Sequence, residues 1–169
     1  MMTIRCETGE DVVVAGDSLV GAKLAGKNLH RALLDGQDLR AADLSGADLR
    51  SAWLERSDLT DSNLAGAKLP ACNASGAKFA RANLNGAFMR SGIYEQADFA
   101  EADFTGADVG RARFAQAILN GANLGSAIDL RDADLKGARA DDRTTWPDDF
   151  DPLEHGVVVN SLSLDPPRS

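Results

Sequence analysis

The residues that could do chemistry in this chain are few, and they are badly spaced for it. Nucleophilic catalysis needs a serine or cysteine within reach of a histidine base. The chain has two histidines, His30 and His155, near opposite ends, and two cysteines, Cys6 and Cys72. Neither cysteine belongs to a C-x-x-C pair, and neither has a histidine close in sequence. A disulfide between them stays open, but reduced thiols are the expectation. Metal binding needs His, Cys or carboxylates clustered at ligand spacing, and no such cluster is visible. Aspartates are frequent, yet they recur at intervals of five. Sets such as Asp43 with Asp103, or Asp48 with Asp108, are broken by Asn or Lys between them. That pattern predicts solvated surface rather than an acid–base pair. The glycines form no phosphate-binding loop. No enzyme and no cofactor is expected.

The elements that would position these residues follow from one period. Stepping by five from Leu24 to Leu124, all 21 positions are apolar or Tyr. Two residues before each of these centres, fifteen of 21 positions are Ala. Ser57, Ser62, Cys72 and Gly92 are also small, and only Lys27 and Gln37 break the rule. A period of five fits neither a helix nor a flat strand. It requires a chain that turns once per repeat, with the centre and the small residue inward and the other three positions facing water. Cys72 then reads as packing. A larger side chain in the alanine lane would force neighbouring turns apart, at about 1–3 kcal/mol. Lys27 and Gln37 should therefore lie in an irregular first coil open to solvent.

Glycine sets the coil length. It stands at 26, 46, 66, 86 and 106, two residues after the centre, with a broken series at 36 and 76. A spacing of twenty predicts four repeats per coil, with one corner turning through a conformation that favours glycine. With about 4.8 Å between coils, six coils make a rod roughly 29 Å long.

Runs such as Ala42-Asp43-Leu44-Ser45-Gly46, Ala47-Asp48-Leu49-Arg50-Ser51 and Ala122-Asn123-Leu124-Gly125-Ser126 resemble the A-(D/N)-L-x-x motif of pentapeptide repeat proteins. The resemblance covers roughly residues 17–140. It implies an all-β fold, a right-handed quadrilateral β-helix of about six coils, capped at both ends. Handedness comes from the resemblance and not from the period.

The ends depart from the repeat. Residues 3–15 suggest a hairpin with a turn at Glu7-Thr8-Gly9-Glu10, so residues 1–16 are assigned as an N-terminal cap. After Leu124 the next expected centre is Asp129, which suits no apolar stack. The pattern resumes one residue late at Leu130 and Leu135, implying a bulge near Ala127-Ile128-Asp129. Thr144-Thr145-Trp146-Pro147-Asp148-Asp149-Phe150 is similar to the closing tail of many bacterial members of the family, and Trp146 and Phe150 are the candidate end plug. Residues 141–169 are assigned as the C-terminal cap and tail. A short strand is expected between Gly156 and Leu164, and disorder over 165–169.

The net charge is −8. Residues 17–140 carry 15 basic and 16 acidic side chains, so the acidity sits at the ends. This weighs on function, because some members of the family inhibit DNA gyrase by mimicking DNA with a rod that is negative along its length. A nearly neutral rod makes that the second reading. Binding of nucleic acid is disfavoured by the acidic whole. No signal peptide and no apolar run long enough to span a bilayer is visible, so the expected location is the cytoplasm.

Twenty residues per coil also stack outward positions into columns. One column, just before the centres, holds Leu33, Trp53, Asn73, Ile93 and Arg113. Leu33, Trp53 and Ile93 stand where Asp or Asn is usual and form the candidate interaction surface. The column is left open between cover by the chain's own terminal segment, contact with a partner or a second copy, and chance. A neighbouring face carries His30, Arg50 and Arg90 as a mildly basic stripe, read mainly as solvated charge. The expected function is a non-catalytic interaction or scaffold protein that binds another protein or itself.

Overall fold

One repeat accounts for all of its backbone donors, and this explains the architecture. In Ser62-Asn63-Leu64-Ala65-Gly66, the Ser62 N–H closes a turn on Leu59 O at 3.1 Å. Asn63 N–H bonds Ala42 O in the preceding coil at 2.9 Å, while Leu64 N–H bonds Asn83 O in the following coil at 2.7 Å. Gly66 N–H bonds Asn85 O in the following coil at 2.8 Å. The fifth donor, Ala65 N–H, goes to the Asn63 side-chain Oδ1 at 3.2 Å. The preference for Asp or Asn before the centre is therefore structural. The side chain satisfies the one donor that the ladder cannot. The same bond recurs from Asp43, Asp48, Asp58, Asn73, Asn83, Asp98 and Asp103. These side chains are half-buried or exposed, so the expectation of plain solvated surface understated their role.

The computed structural model of the chain describes residues 1–8 and 10–161. Parallel bridges link positions twenty apart, from Lys23 with Asp43 through to Asp108 with Ile128. Every centre from Leu24 to Leu124 is buried, and so are the alanines beside them. Lys27 is exposed and Gln37 half-buried. All four corners of a coil adopt left-handed backbone, not one as the glycine series suggests. Arg31, Ala41, Ser51, Arg56 and Asp61 have φ of 53–60°. At Gly66, with φ +64°, an added Cβ would meet nothing within 4 Å. Glycine there relieves strain of about 1–2 kcal/mol rather than making room.

The centres divide the rod into two halves. From Leu24 to Leu69 all are leucine. Beyond them, Phe79 stacks on Phe99 with centroids 4.7 Å apart, and Tyr94 on Phe114 at 5.2 Å. Phe104 joins them edge-on to Phe114 at 6.1 Å.

At the start of the chain, β1 (Met2–Ile4) and β2 (Val12–Val14) form an antiparallel hairpin. Between these strands, Arg5–Glu7 lays an antiparallel edge on the first coil, where Leu33 N–H bonds Arg5 O and Glu7 N–H bonds Arg31 O. This covers part of an otherwise open strand edge. At the other end, the extra residue is Asp129. It is exposed and left-handed at φ 56°, and it leads into a 3-10 turn, Leu130–Asp132, that returns Leu130 to the core. Bridge spacing becomes 21 at Arg113 with Asp134 and 22 at Asn123 with Thr145, so a second residue enters between Arg139 and Thr145. β3 (Arg139–Asp141) carries a last parallel rung, β4 (Val158–Asn160), after a 3-10 turn at Leu153–His155. The expected disorder of residues 165–169 lies outside the described residues, as does Gly9 of the hairpin turn.

Candidate interaction surface

The column is continuous in the structure. Leu33, Trp53, Asn73, Ile93 and Arg113 bridge in succession, one per coil. Leu33 is 43% and Trp53 39% exposed, while Ile93 is half-buried. A large apolar side chain here gives up the amide or carboxylate that caps the turn. The Glu55 N–H left over after Trp53 is taken instead by Asp35 Oδ1 of the preceding coil, at 3.0 Å. Beside the column, Glu55 holds Asn73 Nδ2 and Glu95 pairs with Arg113. At its first rung, the column meets the N-terminal segment through Arg5.

Two exposed apolar residues escaped the sequence reading. Phe88 and Ile128, each 50% exposed, share the neighbouring column with Asp108 between them. The signal was the same one: a large apolar residue at the Asp or Asn position. That neighbouring column also ends the case for a basic stripe. Arg50 pairs with Asp48 at 2.6 Å, and Arg90 lies across Gly110 to reach Asp108 at 2.8 Å and Asp129. Arg31 pairs with Glu7 at 2.6 Å.

Trp146 and Phe150 come together near the end of the rod. Their rings stack at 5.4 Å, and Phe150 stacks in turn on His155 at 4.2 Å. Phe150 is buried and Trp146 half-buried.

The groups that could do chemistry stay apart. His30 is on the first coil, and His155 sits on the terminal aromatic stack. Both cysteines are free and buried. Burial pushes the Cys72 thiol up to about 12, against a smaller lowering by its bond to Tyr94. It cannot supply a thiolate near neutral pH. Cys72 Sγ donates to the Tyr94 hydroxyl at 3.3 Å. Among the described residues, no group of three or more His, Cys, Asp or Glu side chains could hold a metal ion, and no helix is long and apolar enough to cross a membrane.

A pentapeptide repeat protein, Rfr23 from the cyanobacterium Cyanothece 51142, is 27% identical to this chain, with a TM-score of 0.55. That match covers 56% of this chain and 64% of the other, so the chain spans less than two thirds of that protein's length. A pentapeptide repeat protein from Nostoc Pcc 7120, alr5209, is 29% identical, covering 73% of this chain and 84% of the other, with a TM-score of 0.43. QnrB1, a plasmid-mediated fluoroquinolone resistance protein, matches at 19% identity over 82% of this chain and 89% of its own, with a TM-score of 0.48. No curated protein matches the chain. The profile of pentapeptide repeats matches residues 18–56, 57–91 and 97–137 in eight copies. By that match, which takes in most of its length, the chain belongs to the pentapeptide repeat family.

Proposed function

We propose that this protein is a non-catalytic interaction module. Its working surface is the column of Leu33, Trp53 and Ile93. The scaffold is read as a right-handed, four-sided β-helix of about six coils, residues 17–140 at 20 residues per coil. Residues 1–16 cap one end. Residues 141–169 cap the other, with Trp146 and Phe150 as the plug. A bridge spacing of twenty with four left-handed corners per coil supports the four-sided reading.

One observation carries the functional reading. Three rungs of a single face replace the turn-capping Asp or Asn with a large apolar side chain and leave it partly in water. Such a substitution gives up the side-chain cap of its own turn, and it leaves Leu33 43% and Trp53 39% exposed. A surface that meets another protein accounts for it. DNA mimicry is the weaker reading, because rod carboxylates such as Asp48, Asp61 and Asp108 are paired with arginines.

Affinity capture with the wild type and with Trp53→Asp tests the proposal. The substitution restores the residue type that the turn uses, so the fold is expected to persist. Loss of captured protein from the variant, with an unchanged far-UV circular dichroism spectrum, is the expected result. Identical capture by both proteins would remove the surface from consideration. A gyrase supercoiling assay addresses the second reading, and inhibition there would restore it.

A further inference from the structure

We propose that the open N-terminal end of the rod binds a medium-chain fatty acid, holding its carboxylate with Lys23 and Lys27. The site is separate from the Leu33–Trp53–Ile93 column, and nothing in it depends on what the column meets. In the body of the rod, the N–H before each centre bonds a carbonyl of the preceding coil, as Asp43 N–H bonds Ala22 O. The first coil has no coil before it. Arg5 O takes one of its donors, Leu33 N–H, but Lys23 N–H has no partner among the described residues. By the pattern of the ladder it points out of the end of the rod, where an acceptor can reach it.

Positive charge gathers at the same place. Lys27 is one of the two residues that break the small-residue lane, and it fits there because no coil stacks on it. With Lys23 it lines a cleft of about 400 Å³ between β2 and the first coil. Neither ammonium is ion-paired among the described residues. Asp43, next to Lys23 in its column, is engaged by Ser45 and Asn63 instead. Val13, Val14, Val20 and Leu24 give the cleft an apolar wall, and Val13 is 60% and Val20 45% exposed. Two free ammoniums and a free N–H beside exposed valines match an anion that carries an alkyl chain. An inorganic anion would leave the valines wet, and a neutral chain would leave the lysines without a partner. Ligand clefts run from about 300 to 1,000 Å³, so this one is at the small end and suits a chain of about ten carbons.

Isothermal titration calorimetry of the full chain with decanoate, kept below its micelle-forming range, is the test. The expected result is one decanoate per chain. Octanoate should bind about fifteen-fold more weakly, because each buried methylene contributes about four-fold. Decanol has the chain without the charge, and Lys27→Met keeps the stem without the ammonium. Each is expected to weaken binding about ten-fold. Lys27 is exposed, so the variant should keep the far-UV circular dichroism spectrum of the wild type. Lys23→Gln should weaken binding a few-fold and gives a second reading should Lys27→Met fail to fold. Trp53→Asp should leave the affinity for decanoate unchanged. Absence of binding below the micelle range overturns the site, as does full affinity in both lysine variants or equal affinity for decanol. Loss of affinity in Trp53→Asp would overturn it too, by placing the chain on the column. The interaction-module reading stands or falls separately, on its own capture experiment.

Discussion

The leucine-lined half of the rod and the aromatic-lined half share one backbone ladder but solve the core differently. Between Leu24 and Leu69, ten leucines repeat at one volume, and from Ala42 onward the lane beside them holds only Ala or Ser. Between Phe79 and Phe114, flat rings stack face to face in two columns and edge-on between columns. Rings reach further than leucine, so the lane must give way. Tyr94 shows how. A Cβ added at Gly92 would lie 2.6 Å from its ring and 2.7 Å from its hydroxyl. One coil earlier, Cys72 fills the lane and hydrogen-bonds that hydroxyl, while Ala74 is the smallest centre of the series. The departures from Ala at 72 and 92 and from Leu at 74 cluster around a single tyrosine. In a solenoid each coil packs on its neighbours, so a volume gained on one rung is offset on the next.

If the aromatic half depends on stacking between coils, Phe99 is where it breaks most. It contacts Phe79, Tyr94, Phe104 and Phe114. Phe99→Ala should cost about 4 kcal/mol in chemical denaturation, and Leu44→Ala about 3 kcal/mol. A loss at Phe99 no larger than at Leu44, although Phe→Ala removes the larger side chain, would mean that ring packing adds nothing to the stability of this half.

Gly92→Ala is the next largest test, because its neighbour is a rigid ring rather than a flexible chain end. The expected cost is about 2 kcal/mol, with Tyr94→Leu added on top recovering part of it. Gly66→Ala provides the contrast: it meets no atom and should cost about 1 kcal/mol through backbone strain alone. Additive effects of Gly92→Ala and Tyr94→Leu would dissolve the link between lane and ring.

These halves also mark what the sequence could reveal. The inward pattern was legible because every Leu and Ala sits at a fixed phase, and the offset at Asp129 was legible because an acid cannot fill a centre. The role of Asp and Asn before each centre was not, because the bond is made to a backbone N–H that no residue name reports. Nor were the non-glycine corners. Arg31, Ala41 and Ser51 hold left-handed backbone because the ladder fixes the corner, and residue type there is a weak signal. The apolar face was legible in part. Leu33, Trp53 and Ile93 stood out against the Asp and Asn rule, while Phe88 needed the same comparison one column over. The second inserted residue was hidden because Asp141-Asp142-Arg143-Thr144 has no apolar period to interrupt.

That insertion should make the two ends of the rod respond differently to acid. The leucine half is bordered by backbone pairing of a hairpin, whereas the aromatic half is followed by a clasp of side chains. Asp141 is 2% exposed at its side chain. Its carboxylate accepts from Gly121 N–H at 2.9 Å, Arg143 N–H at 3.1 Å and the Arg143 guanidinium at 2.9 Å. Thr144 Oγ1 completes the clasp by donating to Leu119 O at 2.9 Å. Burial works to raise the Asp141 carboxyl, but the Arg143 guanidinium and the two backbone N–H donors outweigh it and hold the group below its ordinary value. A carboxyl lowered on folding contributes stability above its unfolded value of about 3.9 and loses it as pH falls through the folded value. Hydrogen exchange should therefore show the Gly121 amide and the β3–β4 rung losing protection below about pH 4, with Ala32 and Leu33 at the other end less affected. Asp141→Asn should reproduce that loosening at neutral pH, at about 1 kcal/mol, and abolish its further dependence on acid. Equal loss of protection at both ends would show that general acid unfolding, rather than the clasp, governs the C-terminal coil.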